Sequence, residues 1–278
     1  MAALSPGSSL PLIVYIEGVG LLGPGINSWE EGRQQLAGLA PARPQKTVLP
    51  LPVSLPPAER RRAGAIVKVS LAVGYQAIQA AGLDAAKIPS VFTSSSGDGV
   101  NCHEICSALA SSDRLISPTR FHNSVHNAAS GYWGIATGSM SPSSVLCAHD
   151  GSFSAGLLEA ITLAVVDATP VVLLAYDTDY PEPLRSARPV PDTFGVALVM
   201  TPQRSARSLA QCTLQSESCL TSQPADRLMD PVLEPLRQSI PAARSLPMLR
   251  AIAMRHAGPV VLDYLDGLQL VLDLAPCN

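Results

Sequence analysis

The chain has 278 residues, 47% hydrophobic, 15% charged and only 4% aromatic, with 19 basic and 22 acidic side chains for a net charge of −3. That apolar share excludes a disordered chain, and the length can bury a sizeable core. No basic run extends beyond Arg60-Arg61-Arg62, which excludes a polybasic nucleic-acid or membrane surface.

Six cysteines are too few for a disulfide scaffold and point to a reducing cytoplasm. Residues 1–10 carry no positive charge, so a signal peptide is not expected. No run of about 18 apolar residues occurs, so no membrane span is expected. Leu12-Ile-Val-Tyr-Ile-Glu-Gly-Val-Gly20 reads as a β-branched strand stopped by its glycines. Asn27-Ser28 caps a helix starting at Trp29 and ending near Gly38. Residues 40–57 are Pro-rich and aperiodic, a surface connection. Residues 58–81 read as one long helix, with Ile66, Val69, Val73, Ala77 and Ala80 at helical spacing and Gly82 as the C-terminal cap.

A strand is expected over 88–94, running into the polar Ser94-Ser-Ser-Gly-Asp-Gly99. A helix over 101–109, a loop over 113–124 and a helix over 128–137 follow. Residues 143–147 read as a strand, 151–166 as a helix, 170–176 as a buried strand, 181–191 as a loop and 194–200 as a strand. Such alternation implies α/β layers around a largely buried sheet. After Pro202 the character changes. Residues 208–219 read as one more strand, and prolines 224, 231, 235, 241 and 247 cut the next stretch into short helices. Val260-Val-Leu-Asp-Tyr-Leu and Leu268-Gln-Leu-Val-Leu-Asp-Leu flank Asp266-Gly267, the signature of a two-residue hairpin at the sheet edge.

Three clusters could carry chemistry. His122 and His126 lie four apart within Arg120-Phe-His-Asn-Ser-Val-His-Asn127, a zinc-compatible spacing without a third ligand; packed, hydrogen-bonded histidines are the plainer reading. Cys102, His103 and Cys106 form a similar set without a distant pair to complete it, which favours buried structural thiols. No metal and no cofactor is expected. The third cluster is the strand–turn–helix junction Val145-Leu-Cys-Ala-His-Asp-Gly-Ser-Phe-Ser-Ala-Gly156. There Asp150 is either a simple helix N-cap or the apex of a pocket resembling an active site. Ser152-Phe-Ser-Ala-Gly156 also nearly matches a nucleophile elbow with Ser154 as nucleophile, its first glycine replaced by Ser152 and His256 the only histidine downstream.

Several segments, in order, resemble the N-terminal half of a β-ketoacyl synthase, of thiolase-like fold. They are Ile16-Glu-Gly-Val-Gly-Leu-Leu-Gly-Pro-Gly-Ile-Asn-Ser-Trp-Glu, Arg61-Arg-Ala-Gly, Ala80-Ala-Gly-Leu-Asp, Val91-Phe-Thr-Ser-Ser-Ser-Gly-Asp-Gly99, Asn127-Ala-Ala-Ser-Gly-Tyr-Trp-Gly-Ile and Ser141-Pro-Ser-Ser-Val. The series spans residues 12–201, and it is most similar to the short, chain-length-factor-type subunit of aryl polyene biosynthesis. The resemblance implies a mixed five-stranded sheet between helices. Residues 202–278 would form a shortened C-terminal part ending in the hairpin.

Two departures from the family pattern set the expected activity. Aligning Pro142-Ser143 with the family's Gly-Pro-Ser puts Asp150 where a condensing enzyme needs its cysteine thiolate. Cys147 falls three residues earlier, inside the strand, where it should point into packing. The two histidines that stabilise the enolate lie, in the family, in a second half that residues 202–278 are too short to supply. The resemblance therefore implies a catalytically silent, cytoplasmic subunit in a heterodimer with an active β-ketoacyl-ACP synthase, meeting the acyl carrier protein (ACP) only indirectly. Ser143 to Cys147 would pair with its counterpart across the dimer axis. Ser143 and Val145 are accordingly interface candidates, and Cys106, Leu109, Tyr132, Trp133 and Phe153 are candidates for closing a product tunnel. Two other readings stay open. One is a decarboxylase or hydrolase of acyl-ACP thioesters using His149, Asp150, Ser152 and Ser154; the other is a scaffold without influence on chain length.

Overall fold

The computed structural model describes residues 11–215 and 219–277; residues 1–10, where the absence of a signal peptide was expected, lie outside them. In chain order the elements are β1 (Leu12–Leu22), α1 (Trp29–Leu36), α2 (Pro57–Arg62), α3 (Ala65–Ala81), β2 (Ser90–Thr93), α4 (Gly99–Ala110), α5 (Pro118–His122), α6 (Ala128–Thr137), β3 (Ser143–Leu146) and α7 (Ser152–Val166). There follow β4 (Val171–Asp177), α8 (Leu184–Ala187), β5 (Phe194–Thr201), β6 (Ala210–Leu214), β7 (Leu220–Thr221), α9 (Leu233–Ser239), α10 (Leu246–Ala253), β8 (Gly258–Leu265) and β9 (Leu268–Pro276).

The expected five strands form one mixed sheet in the order β3-β2-β4-β5-β1, parallel at β3-β2-β4 and antiparallel beyond. The remaining four strands extend it. β6 adds to β1, β9 pairs with both β6 and β7, and the hairpin partner β8 pairs with β9. Gly267, at φ +72°, makes the Asp266-Gly267 turn. The sheet thus runs from a four-residue edge strand, β3, to the C-terminal hairpin.

Alternation along the strands splits the core between two faces. On β4, Val171, Leu173 and Ala175 share one core cluster with α7 and α10, whereas Val172, Leu174 and Tyr176 share the other with α3 and α6. No helix among the described residues is long and apolar enough to cross a membrane.

Three local readings change. β1 does not stop at its glycines but continues to Leu22. A Cβ at Gly18 would stand 2.0 Å from the Ala77 carbonyl oxygen, and one at Gly20 1.9 Å from that of Val73. The glycines are there to let α3 lie against the strand. The long helix over 58–81 is two helices, because Ala63 is extended (φ −66°, ψ 114°) and Asp98 Oδ2 closes on the space a side chain at Gly64 would need. The loops at 113–124 and 181–191 each hold a short helix, α5 and α8.

Candidate functional site

The strand–turn–helix junction is built as β3, a 3-10 turn over His149–Gly151, and α7. His149 makes the sharp turn in the left-handed region, at φ +49°. Asp150 at its apex is not the helix cap. Gly151 is the N-cap without a side-chain bond, and the turn is held instead by Ser152 Oγ, which donates to the His149 carbonyl (2.7 Å) and accepts from Ala148 N (3.0 Å).

The Asp150 carboxylate turns to two arginines. Arg188 binds one oxygen and Arg244 Nη2 the other at 3.0 Å. Burial alone would raise the Asp150 pKa. The Arg188 hydrogen bond and the two positive charges outweigh it and hold the carboxyl below its ordinary value. Arg188 is itself positioned by Tyr180. Its Nη1 donates to Tyr180 Oη at 3.0 Å, and its guanidinium carbon lies 5.8 Å from that ring's centroid.

Behind this clamp lies a second carboxylate. Asp177, fully buried at the end of β4, accepts from Ser95 N (2.9 Å), Ser95 Oγ (2.6 Å) and Ala242 N (2.8 Å). Burial pushes its pKa up, against those donors. One 3-10 segment, Pro241–Ser245, therefore holds both acids, Asp150 through Arg244 and Asp177 through the Ala242 amide.

The hairpin seals the junction from the other side. A Cβ at Gly151 would meet the Tyr264 carbonyl oxygen at 2.0 Å, and Ser154 Oγ donates to the Asp263 carbonyl at 2.6 Å. Ser154 is fully buried, so the nucleophile-elbow reading fails: its hydroxyl is spent on backbone and has no path to a substrate. His149 lies with Nδ1 3.7 Å from Asp150 Oδ1 and stays largely exposed. Cys147, expected to pack inward, is exposed just past the end of β3 and donates to the Ser95 carbonyl at 3.1 Å.

The other candidates fall into two groups. Tyr132, Trp133 and Phe153 are core residues. Trp133 packs against Tyr75 and edge-on to Phe92 (centroids 5.5 and 6.3 Å), and Tyr132 Oη donates to Asn123 Oδ1 at 3.1 Å. Cys106 and Leu109 on α4 and Ser143 on β3 are exposed, whereas Val145 on β3 is half-buried against the core. Cys102 and Cys106 are both exposed, not the buried thiols expected, because α4 buries only Gly99 and Asn101. Phe121, Val125, Leu115 and Met140 are exposed in the neighbouring stretch 111–140. Among the described residues no three His, Cys, Asp or Glu side chains converge as a metal site.

A family profile described as the β-ketoacyl synthase N-terminal domain matches residues 29–252. The chain belongs to the β-ketoacyl synthase family. Solved structures sharing this ketosynthase-type fold include a ketosynthase (ApeO) in complex with its chain length factor (ApeC) from Xenorhabdus doucetiae. That match has 22% identity and a TM-score of 0.68, over 95% of this chain and 99% of the other. The ishigamide ketosynthase/chain length factor matches at 14% identity and a TM-score of 0.67, over 95% and 99%. A type II polyketide synthase complex of acyl carrier protein and ketosynthase matches at 10% and 0.73, over 96% and 100%. No curated protein matches the sequence. Within this ketosynthase fold, Arg188, Arg244 and Tyr180 are the site residues that reading the sequence missed. Arg188 and Arg244 lie 38 and 94 positions from Asp150 with no shared motif, and only the folded chain brings them together.

Proposed function

We propose that the chain is a non-condensing ketosynthase-like subunit of chain-length-factor type, paired with an active β-ketoacyl-ACP synthase in biosynthesis of the aryl polyene or polyketide kind. The observation that carries this reading is the state of Asp150. It occupies the position that the family resemblance assigns to the nucleophilic cysteine, and two arginines hold it as a carboxylate. Transfer of an acyl chain needs a thiolate that forms a thioester and releases it to a carbanion. A carboxylate paired with two guanidiniums is stabilised in its ground state, and its acyl adduct would be a readily hydrolysed anhydride.

The pairing is supported by the exposed side of α4, by the open edge of β3, and by solved structures described as a ketosynthase with its chain length factor. The ACP would then be met chiefly through the ketosynthase partner. Of the seven tunnel and interface candidates, Cys106, Leu109 and Ser143 are exposed and so open to a partner, and Val145 offers its backbone on the edge of β3. Tyr132 and Trp133 lie in the core on one side of the sheet and Phe153 in the core on the other, so each would act only through packing.

Co-expression with the ketosynthase from the same source, followed by size and product mass analysis, tests the proposal. The expected outcome is a one-to-one complex that condenses malonyl-ACP while this chain alone does not. Asp150→Cys leaves the chain inactive by itself, and Leu109→Ala shifts the product length of the complex. Condensation by the isolated chain, or a stable monomer that never binds the ketosynthase, would refute it.

A further inference from the structure

The C-terminal end of α10 lies between two cavities that the Asp150 site does not use. One, of about 520 Å³, is walled by residues 226–228, α10 and the start of β8; the other, of about 350 Å³, lies between the end of α1 and residues 228–233. They share Leu228, Arg250 and Met254 and so adjoin. Each is of a size that takes a small organic ligand.

Their chemistry differs end to end. Arg227, Arg250, Arg255 and His256 rim the first cavity, against a single carboxylate, Asp226. Asp226 Oδ2 already accepts from Val261 N at 2.9 Å, and Arg255 Nη2 holds the Cys277 carbonyl at 3.1 Å. Among the described residues the side chains of Arg227 and Arg250 have neither an ion pair nor a hydrogen-bond partner. Arg250 also complements the negative end of α10. That role accounts for one arginine and not for Arg227 or Arg255, which come from outside the helix. The second cavity is lined by Leu36, Ala37, Leu233 and Met229, the last 92% exposed. Its one carboxylate, Asp230, accepts from Val232 N (2.8 Å) and Leu233 N (2.9 Å) and so is turned to the backbone.

We propose that these joined cavities form a binding site for an amphipathic organic anion. Its phosphate or carboxylate head sits among Arg227, Arg250 and Arg255, and its apolar body lies along Leu228, Met229 and Met254. The unpartnered guanidiniums of Arg227 and Arg250, with the remaining N–H groups of Arg255, match a planar or tetrahedral oxyanion through charge-assisted hydrogen bonds. The adjoining apolar wall rewards a tail that a free inorganic ion lacks.

Thermal unfolding of the 278-residue chain against octyl phosphate, octanoate and inorganic phosphate at fixed ionic strength tests this, because a ligand of the folded state raises the melting temperature saturably. Octyl phosphate or octanoate should bind saturably and more tightly than inorganic phosphate, and the tighter of the two identifies the head group. Arg250→Gln should weaken that ligand roughly tenfold or more, and Met254→Ser should weaken it while leaving inorganic phosphate unchanged. Lys87→Gln, at an exposed lysine paired with Asp84, should alter neither. A response no larger than the ionic-strength control, or an Arg250→Gln effect equal to that of Lys87→Gln, overturns the site. Equal binding of octyl and inorganic phosphate overturns the assignment of the apolar cavity.

Discussion

Gly151 shows how tightly this junction is specified at the scale of one residue. Its φ of −87° is open to any amino acid, so conformational freedom does not explain the glycine. The Tyr264 carbonyl oxygen does, standing 2.0 Å from where a Cβ would be. The clash is with backbone, which cannot rotate away, so Gly151→Ala must push the hairpin off α7. We expect a loss of roughly 2–4 kcal/mol in denaturant unfolding. Gly131 is the contrast. It lies inside α6, with nothing within 4 Å of its missing Cβ. There Gly131→Ala should raise stability by about 0.5–1 kcal/mol, the ordinary helix-propensity gain. A Gly151→Ala chain as stable as its parent would mean that the hairpin does not seal the junction.

At the scale of elements, the readings that held rest on local signals. The α6 and β3 starts, the Ser28 cap of α1 and the Asp-Gly hairpin follow from periodicity, capping and turn chemistry within ten residues or so. What escaped depends on distant neighbours. Gly18 and Gly20 read as strand breakers, because nothing nearby announces α3 above them. Asp150 stayed open between a helix cap and a pocket apex, because Arg188 and Arg244 arrive from other elements.

The short helix α9 is a further case of such long-range anchoring. Arg237, 8% exposed, binds Glu234 on its own helix and Asp263 on β8. Glu234 also accepts from Leu228 N at 2.8 Å. The Arg237 hydrogen bond, opposed by burial, lowers the Glu234 pKa to about 2. An unfolded glutamate titrates near 4.3. The depressed folded value means that ionised Glu234 stabilises the chain above that pH, and the contribution fades as pH falls from about 4.3 toward 2. Glu234→Gln should therefore be less stable than the parent at pH 7, by roughly 1–3 kcal/mol. The difference should close at the acid end of a pH series of unfolding midpoints. A gap independent of pH would assign the loss to packing instead of charge.

At the scale of the whole molecule, the sheet of nine strands among the described residues meets two different ends. At one end the hairpin β8–β9 finishes the fold. At the other, β3 is four residues long and carries no charge, so its shortness and not charge is what limits pairing at that edge. Its outward groups can be assigned. Ser90 N donates to the Pro142 carbonyl and Ser94 N to that of Leu146, so the even-numbered residues face β2. In a parallel ladder that leaves the N–H and C=O of Ser143 and Val145 directed outward. A proline is tolerated on an edge strand when its missing N–H pointed away from the ladder. Val145→Pro should therefore keep the β2–β3 pairing, costing about 1 kcal/mol for the partly buried valine side chain, while removing a donor from the free edge. If β3 pairs with a ketosynthase strand, this variant should lose most of the complex in size-exclusion and titration experiments yet unfold within a few degrees of the parent. Retention of full affinity would move the contact away from β3 and onto the helices α4 and α5.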